Sequence, residues 1–300
     1  MERRVRIQAQ SVLYHNDLGS IEQTIAAMAN AARVSRERWG MDLEVVCAYG
    51  DSGETPLVSE EQLSKWQTLA GKDLTVTYRF FGFNAGSAGG QNLLAAPYEG
   101  DYVLIMNPDV KVSPDFFHYM LLPFEHGKTG VVEARQSPVE HHKYYAPGTG
   151  ETDWCTGACS LIRNAVFREV GGFDEKTFFL YCDDVDLSWR IKAAGYQLIY
   201  QPHAMVYHAK ELSSDAGWMP GYAEQFYSAE ASLLMAYKWC NEERLHKLIM
   251  TYRHGSEVER DALRSYQKRK KEGRIPERIH VSRKIATFTG DHYSRDRFTY

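Results

Sequence analysis

Four short apolar segments in the first third of the chain constrain its fold more than any other feature. Val5, Ile7, Ala9 and Ser11 alternate with polar residues, and Leu43 to Tyr49, Leu74 to Phe80 and Tyr102 to Met106 are further strand-like runs. Helical periodicity separates them. Ile21, Ile25, Met28 and Ala32 fall on one face, Ser20-Ile21-Glu22-Gln23 reads as a capping box, and Pro114 suits the first position of a later helix. This rhythm predicts an α/β fold with a mostly parallel central sheet flanked by helices. Such sheets bind ligands beyond the carboxyl ends of their strands, so the turns there are the places to look for chemistry.

Those turns are rich in polar residues. Gly50-Asp51-Ser52-Gly53 follows the second strand, the glycine-rich run Asn84 to Asn92 follows the third, and Asn107-Pro108-Asp109 follows the fourth. Each also has ordinary turn chemistry, so none alone specifies a site. The glycines of the second run would let the backbone approach a ligand closely and start a helix with its amides near anionic groups. Further along, Phe178-Phe179-Leu180-Tyr181-Cys182-Asp183-Asp184-Val185-Asp186 places three carboxylates on a turn that opens a helix, where Leu187, Ile191 and Ala194 form the apolar face. A carboxylate crowded by two others has its pKa raised toward useful basicity, while the helix N-terminus pulls the other way. One of the three acids is expected simply to cap the helix.

The chain has 300 residues, 44% hydrophobic and 25% charged, with a formal net charge of -4. This composition indicates a soluble globular protein and argues against a general nucleic-acid binder. Cys47, Cys155, Cys159, Cys182 and Cys240 are odd in number and lack CxxC spacing, as expected of reduced thiols. The N-terminus does not read as a secretory signal, and no apolar stretch is long enough to span a membrane, so a cytoplasmic location is expected, with contact at the inner face of the membrane left open.

From about Leu212 the chain changes character. Tyr227 to Lys238 is apolar and helix-prone, and Arg264 to Lys284 carries nine basic residues against two acidic ones. The expected division is therefore residues 1–210 as the binding and catalytic unit and 211–300 as a helical extension with a basic tail. That tail reads either as a solvated surface or as a patch for anionic lipid headgroups, with Trp218 in the run Asp215 to Pro220 as an interfacial anchor. The apolar face of the extension is expected to pack either on the first unit or on another subunit of a homo-oligomer.

In their order along the chain these segments resemble family 2 glycosyltransferases of the GT-A fold, close to bacterial rhamnosyl- and galactofuranosyltransferases. The match covers roughly residues 5–210. Its carriers are Gly50-Asp51-Ser52, Asn84 to Asn92, Asn107-Pro108-Asp109, Trp154-Cys155-Thr156-Gly157, Gly171-Gly172-Phe173-Asp174-Glu175, Asp183-Asp184-Val185-Asp186-Leu187 with Arg190, and Val206-Tyr207-His208. Two of them depart from the usual pattern: Asn107 stands where the strand-end pair usually has its first Asp, and Asp183 where the acidic turn usually has Glu.

The resemblance implies an inverting transfer of a sugar, such as rhamnose, from a pyrimidine nucleotide diphosphate to a saccharide or lipid-linked acceptor in cell-surface polysaccharide synthesis. It implies a Mn²⁺ or Mg²⁺ ion held by Asp109 and His208, and Asp184 as the base. Tyr14, Asp51, Asn84, Gly86, Asn107 and Asp109 would meet the nucleotide sugar. Trp154, Thr156, Gly157 and Asp183 would meet the acceptor, the Trp154 ring offering a flat face to a sugar. Two alternatives stand beside this reading: a nucleotidyltransferase, which also binds nucleotides with acids at strand ends, and a non-catalytic carbohydrate-binding scaffold. A processive synthase is disfavoured, since neither a Gln-x-x-Arg-Trp motif nor membrane helices are visible.

Overall fold

The computed structural model describes residues 4–208, 221–282 and 284–297. The strands are β1 (Val5–Leu13), β2 (Leu43–Asp51), β3 (Thr75–Phe80), β4 (Tyr102–Met106), β5 (Val110–Val112), β6 (Thr129–Ser137), β7 (Cys159–Arg163) and β8 (Gln197–His208). They form one eight-stranded sheet in the order β3-β2-β1-β4-β7-β6-β8-β5. The half built from β1 to β4 is parallel throughout. The other half is mixed: β7 runs antiparallel to both neighbours, β6 and β8 are parallel, and β5 pairs antiparallel with β8. The parallel half is built by crossovers through α1, α2 and α3 between successive strands.

The helices are α1 (Leu18–Trp39), α2 (Glu60–Ala70), α3 (Gly86–Ala95), α4 (Phe116–Leu121), α5 (Asn164–Glu169), α6 (Asp183–Ala193), α7 (Tyr222–Lys238), α8 (Glu242–Arg253) and α9 (Glu257–Lys271). The expected apolar face of α1 is the buried one: Ile21, Ile25 and Met28 are fully covered against β1 and β2. Its cap lies earlier than the Ser20 box suggested. Asp17 is the N-cap and its carboxylate accepts from the Ser20 amide at 2.7 Å. An acceptor three residues before an apolar repeat outcompetes a hydroxyl already inside the first turn. Similarly, Pro114 precedes the cap of α4, which is Asp115.

Two close approaches set the position of α3. Its Gly90 lies against β1, where an added Cβ would sit 2.6 Å from a methyl of Val12. At its start Gly86 has φ +67°, and an added Cβ would sit 2.5 Å from the Phe179 carbonyl oxygen. Only glycine fits a left-handed residue with backbone so near. The N-terminus of α3 is thereby pressed onto the turn that carries the acidic run.

Helices α7, α8 and α9 pack on α6. Trp189, fully buried, meets Trp239 edge-on at 5.3 Å and Phe288 at 5.0 Å, within a cluster that includes Phe178, Val185, Leu233, Leu234 and Tyr266. Burying side chains of this size contributes roughly 1.5–3 kcal/mol each. The apolar face of these helices is buried against α6 within the chain. The chain then returns to the segment after β6: the Tyr144 amide donates to Arg295 O at 2.8 Å and the Arg297 amide to His142 O at 2.8 Å. The expected boundary at 210/211 and the Trp218 segment lie outside the described residues.

Part of the basic run is structural. Arg269 donates to Thr177 O at 3.1 Å and pairs with Glu230 at 3.4 Å. Arg264, Arg274 and Arg278 pair with Asp261, Glu272 and Glu242. Lys268, Lys270 and Lys271 are exposed. Among the described residues no helix is long and apolar enough to cross a membrane.

Candidate active site

The pairing of β5 with β8 builds the first half of the site. Val110 lies opposite His208, so the turn that ends β4 meets the end of β8. Nε2 of His208 is 3.6 Å from Oδ2 of Asp109 and 3.2 Å from Nδ2 of Asn107. Its other nitrogen, Nδ1, is 3.1 Å from Oε1 of Gln136, an atom that only accepts. The proton therefore sits on Nδ1, and the Nε2 lone pair points toward the Asp109 carboxylate and the Asn107 amide. The Asn107 side-chain amide donates to that lone pair, and a cation that displaced this bond would be shared between Nε2 and the Asp109 carboxylate. The imidazole is held as metal-bound histidines are, through its second nitrogen.

The second half is the acidic turn. Tyr181 and Cys182 both adopt left-handed backbone, at φ 67° and 58°, and Cys182 is the N-cap of α6. This is costly for residues with side chains and is sustained by contacts around it, including a 3.3 Å bond from the Cys182 thiol to the Tyr293 hydroxyl. Burial, and then the charge of Asp184, push the Asp183 carboxyl up to about 7. Burial also raises Asp184, opposed by the amides of Gly157 and Val185 and by Lys143. Oδ2 of Asp184 accepts from the Gly157 amide at 2.9 Å and Oδ1 from the Val185 amide at 2.8 Å. Asp183 takes its side-chain hydrogen bond from Ser87 of α3.

Gly157 and Ala158 join the two halves. The Asn107 amide donates to Ala158 O at 3.0 Å, while the neighbouring Gly157 amide holds Asp184. Thr156, also buried, accepts from the Ala158 amide through its hydroxyl at 3.2 Å and shapes this lead-in to β7.

The acids divide their work differently from one another. Asp186 is fully buried and structural: Lys238 at 2.7 Å, Trp239 Nε1 at 3.0 Å and Arg190 at 2.8 Å surround it. Lys238 also reaches Asp174 at 2.7 Å. Burial opposes the charge of Asp174, yet Lys238 and Thr177 hold its carboxyl below the usual range. The helix cap expected of one acid falls instead to backbone geometry at Cys182.

Other sequence candidates are spread around these two halves. Asp51 is buried at the end of β2, with its carboxylate accepting from the Gly53 and Leu57 amides, both at 2.8 Å, and from the Tyr78 hydroxyl. Asn84 is exposed and accepts from the Gly86 amide at 3.0 Å, and the Ser87 amide is taken by Phe179 O at 2.9 Å. Two amides expected to face anionic groups are thus already engaged. Tyr14 is half-exposed on the loop after β1. Trp154 is 8% exposed; the Lys143 ammonium sits 4.1 Å above its ring and His141 lies 5.0 Å away, so its faces are largely covered within the chain.

Several residues at the site escaped the sequence reading. Gln136 continues the buried series Val132 and Ala134 along β6, and a polar residue on that face was the available signal. Lys143, Glu133, Ser87 and Tyr293 gave none, because tertiary packing alone brings them here.

Residues 146–218 match the family model described as Glycosyltransferase like family 2. The N-acetylglucosaminyl-diphospho-decaprenol L-rhamnosyltransferase of Mycobacterium tuberculosis is 35% identical over 121 residues, 37% of each chain. The rhamnosyltransferase WbbL of Escherichia coli K12 is 29% identical over 143 residues, covering 37% of this chain and 54% of that one. The chain is thus similar to family 2 glycosyltransferases across residues 146–218.

It spans between about a third and about half of the length of these curated relatives. A mannosyltransferase of Pyrobaculum calidifontis, solved with GDP-Man and Mn²⁺, superposes with a TM-score of 0.57 at 16% identity, covering 89% of this chain and 74% of that one. GalNAc-T7, solved with UDP, GalNAc and Mn²⁺, gives 0.62 at 12% identity, over 91% and 55%. The chain therefore has the GT-A fold of these structures: an α/β architecture with a mixed sheet flanked by helices.

Proposed function

We propose that the protein is an inverting glycosyltransferase that moves a sugar, rhamnose in the first instance, from a pyrimidine nucleotide diphosphate to a saccharide carried on a lipid diphosphate. The similarity to two rhamnosyltransferases supports the sugar, and the name of the mycobacterial one supports the acceptor class. One observation carries the reading. Adjacent residues, Gly157 and Ala158, tie the Asn107-Pro108-Asp109 turn to the Asp184 carboxylate, which supports reading the turn as the metal-binding end and Asp184 as the base beside it.

Asp109 and His208 would hold the divalent ion, for which Mn²⁺ is the first choice because it accepts imidazole with oxygen. Among the described residues no three His, Cys, Asp or Glu side chains form a closed cage. Two protein ligands leave positions for phosphate oxygens and water, the usual pattern when a metal is shared with a nucleotide. When bound, the ion supplies positive charge to the diphosphate as it leaves. Asn107, neutral and within reach of Nε2 of His208, positions the ribose or the metal shell without adding charge.

Asp184 takes the proton of the acceptor hydroxyl as that oxygen bonds to the anomeric carbon and the bond to the diphosphate breaks on the opposite face. Its raised pKa suits a general base. Gly157 and Val185 fix both carboxylate oxygens, which holds the base still before the acceptor arrives. Asp183 borders the acceptor and is linked through Ser87 to α3. Tyr14, Asp51, Asn84 and Gly86 line the nucleotide side, Asp51 chiefly by holding the loop from Ser52 to Leu57.

Trp154, Thr156 and Gly157 shape the acceptor side. The exposed Lys268, Lys270 and Lys271 support a peripheral contact with the anionic inner face of the membrane, where a lipid-linked acceptor resides. Co-sedimentation with anionic but not neutral vesicles is expected; its absence removes that part of the proposal.

The test is transfer from UDP-, dTDP- and GDP-sugars to an N-acetylglucosaminyl diphospholipid, with Mn²⁺, Mg²⁺ or EDTA. Metal-dependent transfer from one pyrimidine donor is expected. Pyrophosphate release from a nucleoside triphosphate would instead identify a nucleotidyltransferase.

A further inference from the structure

Beneath the acidic turn lies a buried ion pair that the reaction as described does not use. Glu133 on β6 and Lys143 on the following segment are 3% and 5% exposed and paired directly. The Lys143 ammonium also donates to Trp154 O at 2.6 Å and sits 4.1 Å above the Trp154 ring. Three residues on from Trp154, the chain reaches Gly157, whose amide holds Asp184. A buried ion pair is an expensive way to fill a core, since its desolvation commonly matches or exceeds its attraction. Its placement here is accounted for by what it does to the carboxylate beyond it.

We propose that Lys143 and Glu133 form a positioning pair for Asp184: Lys143 fixes the Trp154 to Gly157 segment that grips the carboxylate and sets a positive charge beside it, while Glu133 limits that charge. This rests on the reading of Asp184 as the base.

The charged and titratable neighbours of Asp184 come from every side. Asp183 and Cys182 belong to its own turn, Glu133 to β6, Lys143 to the segment after β6, and Cys155 to the lead-in to β7. Among them Lys143 is the cation that acts on Asp184 to lower its pKa. Burial of Glu133 raises its own carboxyl, Lys143 opposes this, and Asp184 adds to it, so the three groups are electrostatically one unit. The Asp183 and Asp184 carboxyls titrate as a pair, and the shift belongs to the pair.

The experiment is a carboxyl-carbon NMR titration of protein labelled at aspartate Cγ, with the Asp183 and Asp184 signals assigned by Asp183→Asn and Asp184→Asn. It needs neither donor nor acceptor. Lys143→Met is expected to move the midpoints of the pair to higher pH, Glu133→Gln to lower pH because Lys143 is then less compensated, and Lys143→Arg to restore values near wild type. Circular dichroism confirms the fold of each variant.

Should Lys143→Met not fold, Glu133→Gln and Lys143→Arg still decide the sign. Midpoints unmoved in the folded charge variants, or moved in the same direction by Lys143→Met and Glu133→Gln, overturn the proposal. Failure of the base reading has a separate signature, since Asp184→Asn would then keep sugar transfer.

Discussion

Val110 and His208 are direct partners across β5 and β8, and this pairing brings the His208 imidazole to 3.6 Å from the Asp109 carboxylate. A turn at one strand end and the last residue of a distant strand thus lie side by side, the pair proposed to hold the divalent ion. Gln136 accepts the hydrogen bond from Nδ1 of His208 and so orients the ring. Gln136→Leu is expected to weaken Mn²⁺ binding by roughly 10- to 100-fold with little loss of stability, because partners of a metal-bound histidine set its orientation. Titration of Mn²⁺ in the presence of donor checks this.

The Asp183 carboxyl, pushed up to about 7, retains a proton in the folded state at pH values where an unfolded aspartate has lost it. Stabilisation from this group is therefore complete below about pH 4, the ordinary aspartate value, and is lost as pH rises through about 7. Asp183→Asn, neutral throughout, is expected to raise Tm relative to wild type at pH 8 and to leave it nearly unchanged at pH 4. Thermal melts at the two pH values decide it.

Lys238 neutralises two buried or half-buried carboxylates at once, Asp174 and Asp186. Lys238→Met leaves Asp186 buried with less compensation and is expected to destabilise by about 3–5 kcal/mol, the usual cost of removing one partner of a buried pair. Urea denaturation measures it. Because Lys238 ends α7 and Asp186 lies on α6, the loss should loosen the packing of the C-terminal helices on the acidic turn.

Gly86 and Gly157 make a contrasting pair. Gly86→Ala puts a Cβ 2.5 Å from Phe179 O at φ +67° and is expected to cost about 2 kcal/mol or more. Gly157→Ala meets only the Asp184 side chain at ordinary contact distance, 3.6 Å, and keeps the amide that holds the carboxylate. It is expected to fold with stability within about 0.5 kcal/mol of wild type. Denaturation midpoints of both variants test the assignment.

The first half of the sheet was readable because each strand is a short apolar run closed by a polar turn, and because α1 carries its buried face at helical spacing. Asp109, His208 and Asp184 could be singled out only through the order of several weak motifs. What joins them was not readable: the register of β5 on β8, the bridge through Gly157 and Ala158, and the Lys143–Glu133 pair all depend on tertiary packing between segments far apart in the chain. Asp186 shows the same limit, since nothing local distinguishes it from Asp184, yet one is encased by Lys238, Arg190 and Trp239 and the other is held by backbone amides.

The most direct test compares donor binding with sugar transfer in wild type, Asp109→Ala and Asp184→Asn, using the pyrimidine nucleotide sugar selected from the panel. Wild type is expected to bind it only with divalent metal, and Asp109→Ala to lose that binding. Asp184→Asn should bind donor as wild type does while transfer falls by about 10²- to 10⁴-fold, the range that general-base catalysis supplies. Absence of nucleotide-sugar binding by wild type with any metal, or transfer by Asp184→Asn at the wild-type rate, would contradict the account.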